Sequence, residues 1–479
     1  MFLRKISLSV LLCVALHISS AFAEGYTIDL IIKNETAQHT YFLGEYYGFQ
    51  HQIIDTAILV SPGVYRFSNS YRRLPAGIYF ITQNTRMIDF IVEESLNFSI
   101  EVDNSDLANI IAFNNSREND LYKKLLDTLS PLLIRLTRMD SLMRATAPAT
   151  REHDEAFQKL ISYSGKINQI RTDFTKTNPQ HLMTLVFEAQ KEIAVPDAPE
   201  NLNEEEGRMW RFQYYRSRFF DYVRFSDPRI IRTPILFPKI DQFLDHVVFL
   251  QADSIITALV WLFEKVKDNE EIFKALLDYT TLKYERANFI GHDAVWAFLV
   301  ENFYLAGKVD WVSQATLNNF ATRLSRVKPW LIGQVPPEMW YPDTSNNQAF
   351  EAMTSLFSSS APYTVIMFWE PNCPHCKNEL TRLSNLYSRK EELGFDVITV
   401  SRHHDLNMMK SVIAELQLPF LNLYGGAGPG VLRREDVWPV DVVPTIFLLA
   451  PDKRIVAKRI TVDQIEPFVR SWNARYYSD

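Results

Sequence analysis

The rhythm of hydrophobic and polar positions changes twice along this chain. Residues 24–103 carry short apolar runs: YTIDLIIK, HTYFLGEYY, QIIDTAILV, GVYRFSNS, GIYFITQ, MIDFIVEE and LNFSIEV. Most of them alternate, which makes one side of a pleated strand apolar, and polar or Gly/Pro turns separate them about every dozen residues. That spacing predicts a β-sandwich-like domain or small barrel over 24–103. Residues 104–118 read as a connection.

From residue 119 apolar positions recur at three- and four-residue intervals. LYKKLLDTLSPLLIRLTRMDSLM, EAFQKLISYSGKINQIRTDF, KIDQFLDHVVFLQ, SIITALVWLFEKV, EEIFKALLDYTTLKYE and HDAVWAFLVENFYL are amphipathic helices by this measure. They predict a central all-α domain over 104–340. VPDAPENLNEEEG interrupts it as a polar loop, and Pro228, Pro234 and Pro238 break FSDPRIIRTPILFPK. No segment repeats at a fixed period, so a regular solenoid is not supported. The aromatics of RMWRFQYYRSRFFDY are either helix core or a binding groove, and core packing is the expectation.

A Pro-rich stretch, QVPPEMWYPDTSNN, marks the next boundary. Beyond it PYTVIMFW is a continuous apolar run, as a central parallel strand requires. FDVITV, FLNLY, VVPTIFLLA and RIVAKRIT follow as strands, with helices at CPHCKNEL, DLNMMKSVIAELQ and ITVDQIEPFVRSWNARY. This predicts an α/β domain over 341–479.

Composition adds limits. The 479 residues are 47% hydrophobic and 22% charged, enough for several cores and no case for disorder. A formal net charge of −7 argues against nucleic acid and against a basic membrane-surface patch. Residues 1–23 read as a secretory signal: Arg4 and Lys5, then the apolar run Ile6–Ile18, then Ala21-Phe22-Ala23 at the cleavage site. Such a signal predicts a periplasmic protein. Leu12 precedes Cys13 where a lipidation box needs a small residue.

Cleavage leaves two cysteines, Cys373 and Cys376, in one turn. A cross-link that closes almost no loop adds little stability, so chemistry is the better reason for the pair. Thiol–disulfide exchange needs an accessible thiolate and a second thiol to displace the mixed disulfide. At a helix N-terminus the first cysteine meets unpaired N–H groups that favour an anion, and the second lies one turn in. Cys373 is therefore the expected nucleophile and Cys376 the resolving thiol.

Cys376, Leu380, Leu383 and Tyr387 share a helix face with Glu379 at its edge. A half-buried Glu379 would have a raised pKa and exchange a proton with Cys376; an ordinary solvated glutamate is the equal alternative. Pro374 and His375, between the cysteines, are assigned to tuning the redox potential. Val443 and Pro444 predict a cis peptide beside the disulfide, and with Trp369 they are assigned to client binding.

No metal is expected. One C-x-x-C supplies two ligands, and adjacent His403 and His404 point different ways. A peroxidase would place threonine at position 370, where this chain has Glu370.

The strand–FWEPNCPHCKNE–helix order, the late VVPT and the terminal strand–helix resemble the thioredoxin superfamily over residues 341–479. Within it, Glu379 three residues after Cys376 is similar to the TlpA-like branch of the bacterial envelope. CPHC, and valine before the proline, also occur in DsbA-type oxidants, and Leu380-Thr381 stand where the branch usually has a helix proline. The full layout, a β-rich part, a helical part with SDPRIIRTP and YERANFIGHDAVW, then the α/β domain, resembles Bacteroidetes envelope proteins. The resemblance implies a C-terminal thioredoxin fold and exchange with thiol- or disulfide-bearing envelope proteins. It implies a reductant fed by a membrane electron donor, with the Cys373–Cys376 disulfide and no cofactor. An oxidase or isomerase, or a non-catalytic scaffold with a docking domain, stays open, as does the oligomeric state.

Overall fold

The computed structural model describes residues 25–84, 86–287, 289–343, 353–403, 405–426, 440 and 442–476. The expected signal segment lies outside the described residues, as does His404. The chain forms two compact units that divide between Asp241 and Gln242.

The first unit starts as a β-sandwich. β1 (Tyr26–Lys33), β4 (Ile58–Ser61), β5 (Val64–Asn69), β8 (Asn97–Asp103) and β9 (Asp106–Asn114) form one sheet in the order β4-β5-β1-β8-β9. β2 (Phe42–Tyr47), β3 (Gln50–Thr56), β6 (Gly77–Gln83) and β7 (Arg86–Val92) form the other, in the order β3-β2-β6-β7. Alternation in β1 turns Tyr26, Ile28, Leu30 and Ile32 inward, where they share a core with Leu43, Tyr79, Ile81 and Phe90 of the facing sheet. On the outer face Asp29 and Arg66 sit opposite each other and pair through two hydrogen bonds of 2.7 and 2.8 Å.

Two expectations are corrected here. The supposed connection at 104–118 contains β9, because Ser105 donates to Asp103 and closes a tight hairpin that folds DLANIIAFN back onto β8. The run QIIDTAILV is not one strand. At Ala57, whose N–H bonds Tyr41 O at 2.9 Å, the chain leaves one sheet and enters the other.

Helices follow: α1 (Arg117–Ala145), α2 (Arg151–Thr177), α3 (Leu182–Ala189), α4 (Glu204–Arg218) and α5 (Leu236–Gln242). Ser116 caps α1, and Asn119 in its first turn is fully buried. Its side-chain amide accepts from Ile91 N (2.8 Å) and donates to Ile91 O (2.6 Å). One amide thus imitates a neighbouring strand and closes the edge of β7. α4 departs from the core expectation. Among its described residues only Gly207 is buried, while Trp210 stacks on Tyr214 at 5.4 Å and Arg218 covers Tyr214 at 4.6 Å; the expectation holds for Phe219 and Phe220 just beyond it, which are buried.

The segment SDPRIIRTP forms a short 3-10 turn, Pro228–Arg232, with Ile230 and Ile231 buried. Arg229 bonds Asp227 (2.8 Å), Glu93 (2.6 Å) and Gln180 O (2.9 Å), tying the turn to the end of β7. Burial pushes the Glu93 carboxyl up to about 7; Arg229 opposes this and Glu118 adds to it.

The second unit holds α6 (Ala252–Val266), α7 (Glu270–Glu285), α8 (Asp293–Leu299) and α9 (Gln314–Val327). The helices are therefore shared between two units, and the expected single helical domain over 104–340 is not one body. Next come β10 (Trp340–Pro342), β11 (Met353–Ser355), β12 (Tyr363–Trp369), α10 (Pro374–Tyr387), α11 (Lys390–Leu393) and β13 (Phe395–Ser401). α12 (Leu406–Leu416), β14 (Leu421–Tyr424), β15 (Thr445–Leu449), β16 (Ile455–Lys458) and α13 (Ile465–Tyr476) complete it. The main sheet runs β14-β13-β12-β15-β16, with β12 central, parallel to β13 and antiparallel to β15.

Both faces of β12 are buried, which explains its unbroken apolar sequence. Val365, Met367 and Trp369 pack with α10, α12 and α13. Ile366 and Phe368 pack with Trp330, Met339, Tyr341 and Leu356. Gly333 N bonds Ile455 O (2.8 Å) and Ile455 N bonds Gln334 O (2.9 Å). The α/β core therefore draws on the chain from Trp330 onward, upstream of the expected boundary at 341. Lys458, buried in β16, donates to Trp330 O (2.6 Å) and to Asp293 at the start of α8. No helix among the described residues is long and apolar enough to cross a membrane.

Replacing Asn119 by Ala leaves the N–H and C=O of Ile91 buried without their partner. We expect a loss of about 2–4 kcal/mol on chemical denaturation, roughly two unmet buried groups. The Glu93 shift gives a second expectation. An acid whose folded pKa lies above its unfolded value holds an extra proton in the fold, so stability falls as pH rises through that interval. Between about pH 5 and pH 8 the wild type should lose stability relative to Glu93→Gln, and thermal melts of both proteins at the two pH values measure the difference.

Candidate active site

β12 ends at Trp369 and the chain turns through Glu370-Pro371-Asn372, closed by a bond from Cys373 N to Glu370 O (3.2 Å). Cys373 is the N-cap of α10 and Pro374 its first residue, a position that needs no backbone N–H. The Cys376 N–H donates to Cys373 Sγ at 3.2 Å. That bond and the helix terminus both favour negative charge on this sulfur.

Cys373 and Cys376 form a disulfide with Cα atoms 5.2 Å apart. The two sulfurs differ in depth. Cys373 is partly exposed, while Cys376 is fully buried with Leu380 and Leu383 against Trp369 and Ile446. Pro374 and His375 are exposed. The Val443–Pro444 peptide is cis, and Cys373 Sγ lies 3.9 Å from Val443 O. Thr445 Oγ1 donates to Val442 O (2.6 Å) and Arg402 donates to Val440 O (2.5 Å), so both sides of this loop are held. Val442 itself is exposed.

Trp369 is not at the surface. It is fully buried, and its indole N–H donates to Thr399 Oγ1 at 3.2 Å. Thr399 donates in turn to Asn422 Oδ1 (2.7 Å), and Asn422 donates to Phe420 O (2.7 Å). Its client-binding assignment is withdrawn: the odd-numbered face of β12 looks into the core, and Trp369 forms the floor beneath the disulfide. The signal for this floor was present as two polar residues, Thr399 and Asn422, inside otherwise apolar strands.

Glu379 is half-buried at the edge of the α10 stripe, as its position on the helix implies. Its carboxylate accepts from Val462 N at 2.9 Å and lies 3.6 Å from Arg382. Val462 opens the short turn before α13, so Glu379 ties α10 to the C-terminal helix. His403 lies apart from the disulfide turn in sequence, and its Nδ1 accepts from Asp405 N at 3.0 Å.

A family model described as Thioredoxin-like matches residues 362–455. That span contains the disulfide turn, the central strand and the cis-proline loop. Over those residues the C-terminal domain is thioredoxin-like. It is 21% identical over 145 residues to a thiol-disulfide oxidoreductase ResA of Oceanobacillus iheyensis, covering 30% of this chain and 73% of that protein. Among solved structures, a thioredoxin-like protein from Bacteroides caccae aligns at 17% identity over 59% of this chain and 99% of its own, with a TM-score of 0.44. The thioredoxin domain of a Bacteroides vulgatus thiol-disulfide oxidoreductase aligns at 24% identity over 29% of this chain and 96% of its own, with a TM-score of 0.25.

The bond from Val462 N gives Glu379 a structural role that stability measures. Glu379→Ala leaves the Val462 N–H without its acceptor and should cost about 1–2 kcal/mol. Glu379→Gln keeps a carbonyl acceptor and should recover most of that loss in the same denaturant titration.

Proposed function

We propose that this chain is a periplasmic thiol–disulfide oxidoreductase that reduces disulfides of envelope client proteins through Cys373 and Cys376. The observation that carries this reading is the depth difference within one helix turn: a reachable sulfur at the helix N-terminus and a sealed one behind it.

In the dithiol form, the Cys373 thiolate attacks one client sulfur. A Cys373–client mixed disulfide forms, the client S–S bond breaks, and the departing client thiolate takes up a proton. Cys376 then loses its proton and attacks Cys373 Sγ. The mixed disulfide breaks, the second client sulfur leaves as thiolate and is protonated, and the Cys373–Cys376 disulfide is formed. Two electrons pass to the client, and a thiol donor at the membrane returns two to the chain. Glu379, three residues after Cys376 on the helix, is the group assigned to take up its proton, on the strength of its match to the TlpA-like pattern. Val443 and Pro444 supply the backbone beside which the client's cysteine segment lies. The direction follows from Glu379, which matches the TlpA-like pattern, whereas CPHC alone fits an oxidase equally well.

Cys376→Ser should trap a mixed disulfide between Cys373 and a client, visible as a dithiothreitol-sensitive band, and Cys373→Ser should form none. Equilibration with glutathione should place the pair nearer the thioredoxin value of about −270 mV than the roughly −120 mV of a strong oxidant. A value at the oxidising end reverses the proposed direction. The absence of any exchange in either form leaves a docking domain.

A further inference from the structure

We propose that the outer edge of β4 is a docking site for a short, extended, apolar and uncharged segment of a partly unfolded polypeptide, which joins the sheet as an added strand. This rests on the reading above that clients are disulfide-bearing polypeptides, and it names where the client backbone is held.

The sandwich has four sheet edges among the described residues and treats them differently. The edge of β7 is closed by the Asn119 amide. β9 lies under α1. β3 presents Gln50, His51, Gln52 and Asp55 around Ile53. β4 has no such protection. Ile58 is 67% exposed, Leu59 39% and Val60 51%, and no charged residue occurs from Thr56 to Tyr65. Open apolar edges invite strand addition, and natural sheets usually blunt them with charge. Here the limits are of another kind. The strand is four residues long, its pairing with β5 shifts register between Leu59 and Ser61, and Pro62 ends it. Those features stop open-ended stacking and leave room for one short partner.

The size of the edge selects the occupant. Four residues span about 13 Å of strand. A stable dimer needs roughly 20–30 residues a side, and β4 supplies four, so a second copy of this chain is poorly matched. Strand addition takes its affinity from main-chain hydrogen bonds and its selectivity from alternate side chains. The exposed side chains of Ile58, Leu59 and Val60 select an apolar segment; Arg66, opposite Ile58 on β5, is already paired with Asp29, so a charged segment finds no free partner there. A folded protein hides such a segment; a client open enough to present its disulfide exposes it.

The test uses the full chain carrying Cys373→Ser and Cys376→Ser, so that exchange cannot contribute. The probe is a fluorescent, end-capped decapeptide of alternating Thr and Val, followed by anisotropy. We expect saturable binding. The dissociation constant should rise at least tenfold when Ile58→Lys and Val60→Lys are added, when Lys replaces Val in the peptide, or when alternate peptide amides are N-methylated. Thermal melts establish that the lysine variant is folded; if it is not, Ile58→Lys alone and the methylated peptide decide the matter. An unchanged dissociation constant in a folded lysine variant overturns the proposal, as does a lack of saturable binding up to millimolar peptide. A dimer in sedimentation that the same substitutions abolish also overturns it and assigns the edge to a second copy. Exchange with oxidised glutathione is measured separately on the chain with both cysteines. Peptide binding without exchange defeats the redox reading and leaves the edge site; exchange without peptide binding does the reverse.

Discussion

The chemistry of this protein depends on how α10 lies against its sheet. Cys376, Leu380 and Leu383 follow each other at helical spacing, and all three are fully buried in the core formed by β12, β15 and α13. Once that stripe is packed, Cys373 has no freedom of depth. It caps the helix one turn earlier and sits outside the core, with its sulfur accepting from the Cys376 N–H. Interiors are packed too densely for the stripe to slide. The same packing that stabilises the domain therefore makes one sulfur reachable and hides the other.

The floor beneath the pair obeys a second constraint. A buried indole N–H without a partner is costly, so Trp369 can occupy the core only because Thr399 accepts from it and Asn422 accepts from Thr399. This chain of bonds crosses β12, β13 and β14 in order, and every link joins neighbouring strands. The disulfide turn thus springs from a strand whose last side chain is locked to β13 and, through it, to β14.

How much of this is legible in the sequence follows from the range of each interaction. β12, β13, β15 and the strands of the sandwich are plain in the apolar runs, because burial on one or two faces is written in a local period. The cysteine turn is plain because its chemistry needs two residues three positions apart. What is not written locally is which partner a segment meets. QIIDTAILV has strand character throughout, and nothing in its period says that Ala57 is a corner between two sheets. DLANIIAFN is diluted by asparagine and aspartate, so its return onto β8 shows only in the pairing. Trp369 could face either side of a strand buried on both. Glu379 stands at the edge of its stripe as expected, but its acceptor role answers an N–H 83 residues further along. The division of the helices between two units depends on packing partners that amphipathic periodicity does not name.

The charge on one sulfur bears on how readily the pair is reduced. The Cys376 N–H and the helix terminus stabilise charge on Cys373 Sγ, while the Val443 carbonyl oxygen, 3.9 Å from the same atom, opposes it. His375, the residue that makes the turn resemble an oxidant's, is exposed. An ionic contact in that setting is worth at most about 1 kcal/mol, or roughly 20 mV for two electrons. The interval between thioredoxin and the strongest oxidants is about 150 mV, several times larger than an exposed side chain supplies. The exposed His375 alone therefore does not account for that interval. What surrounds the sulfur has to be weighed as a whole: the Cys376 N–H and the helix terminus act in one sense, the Val443 carbonyl in the other.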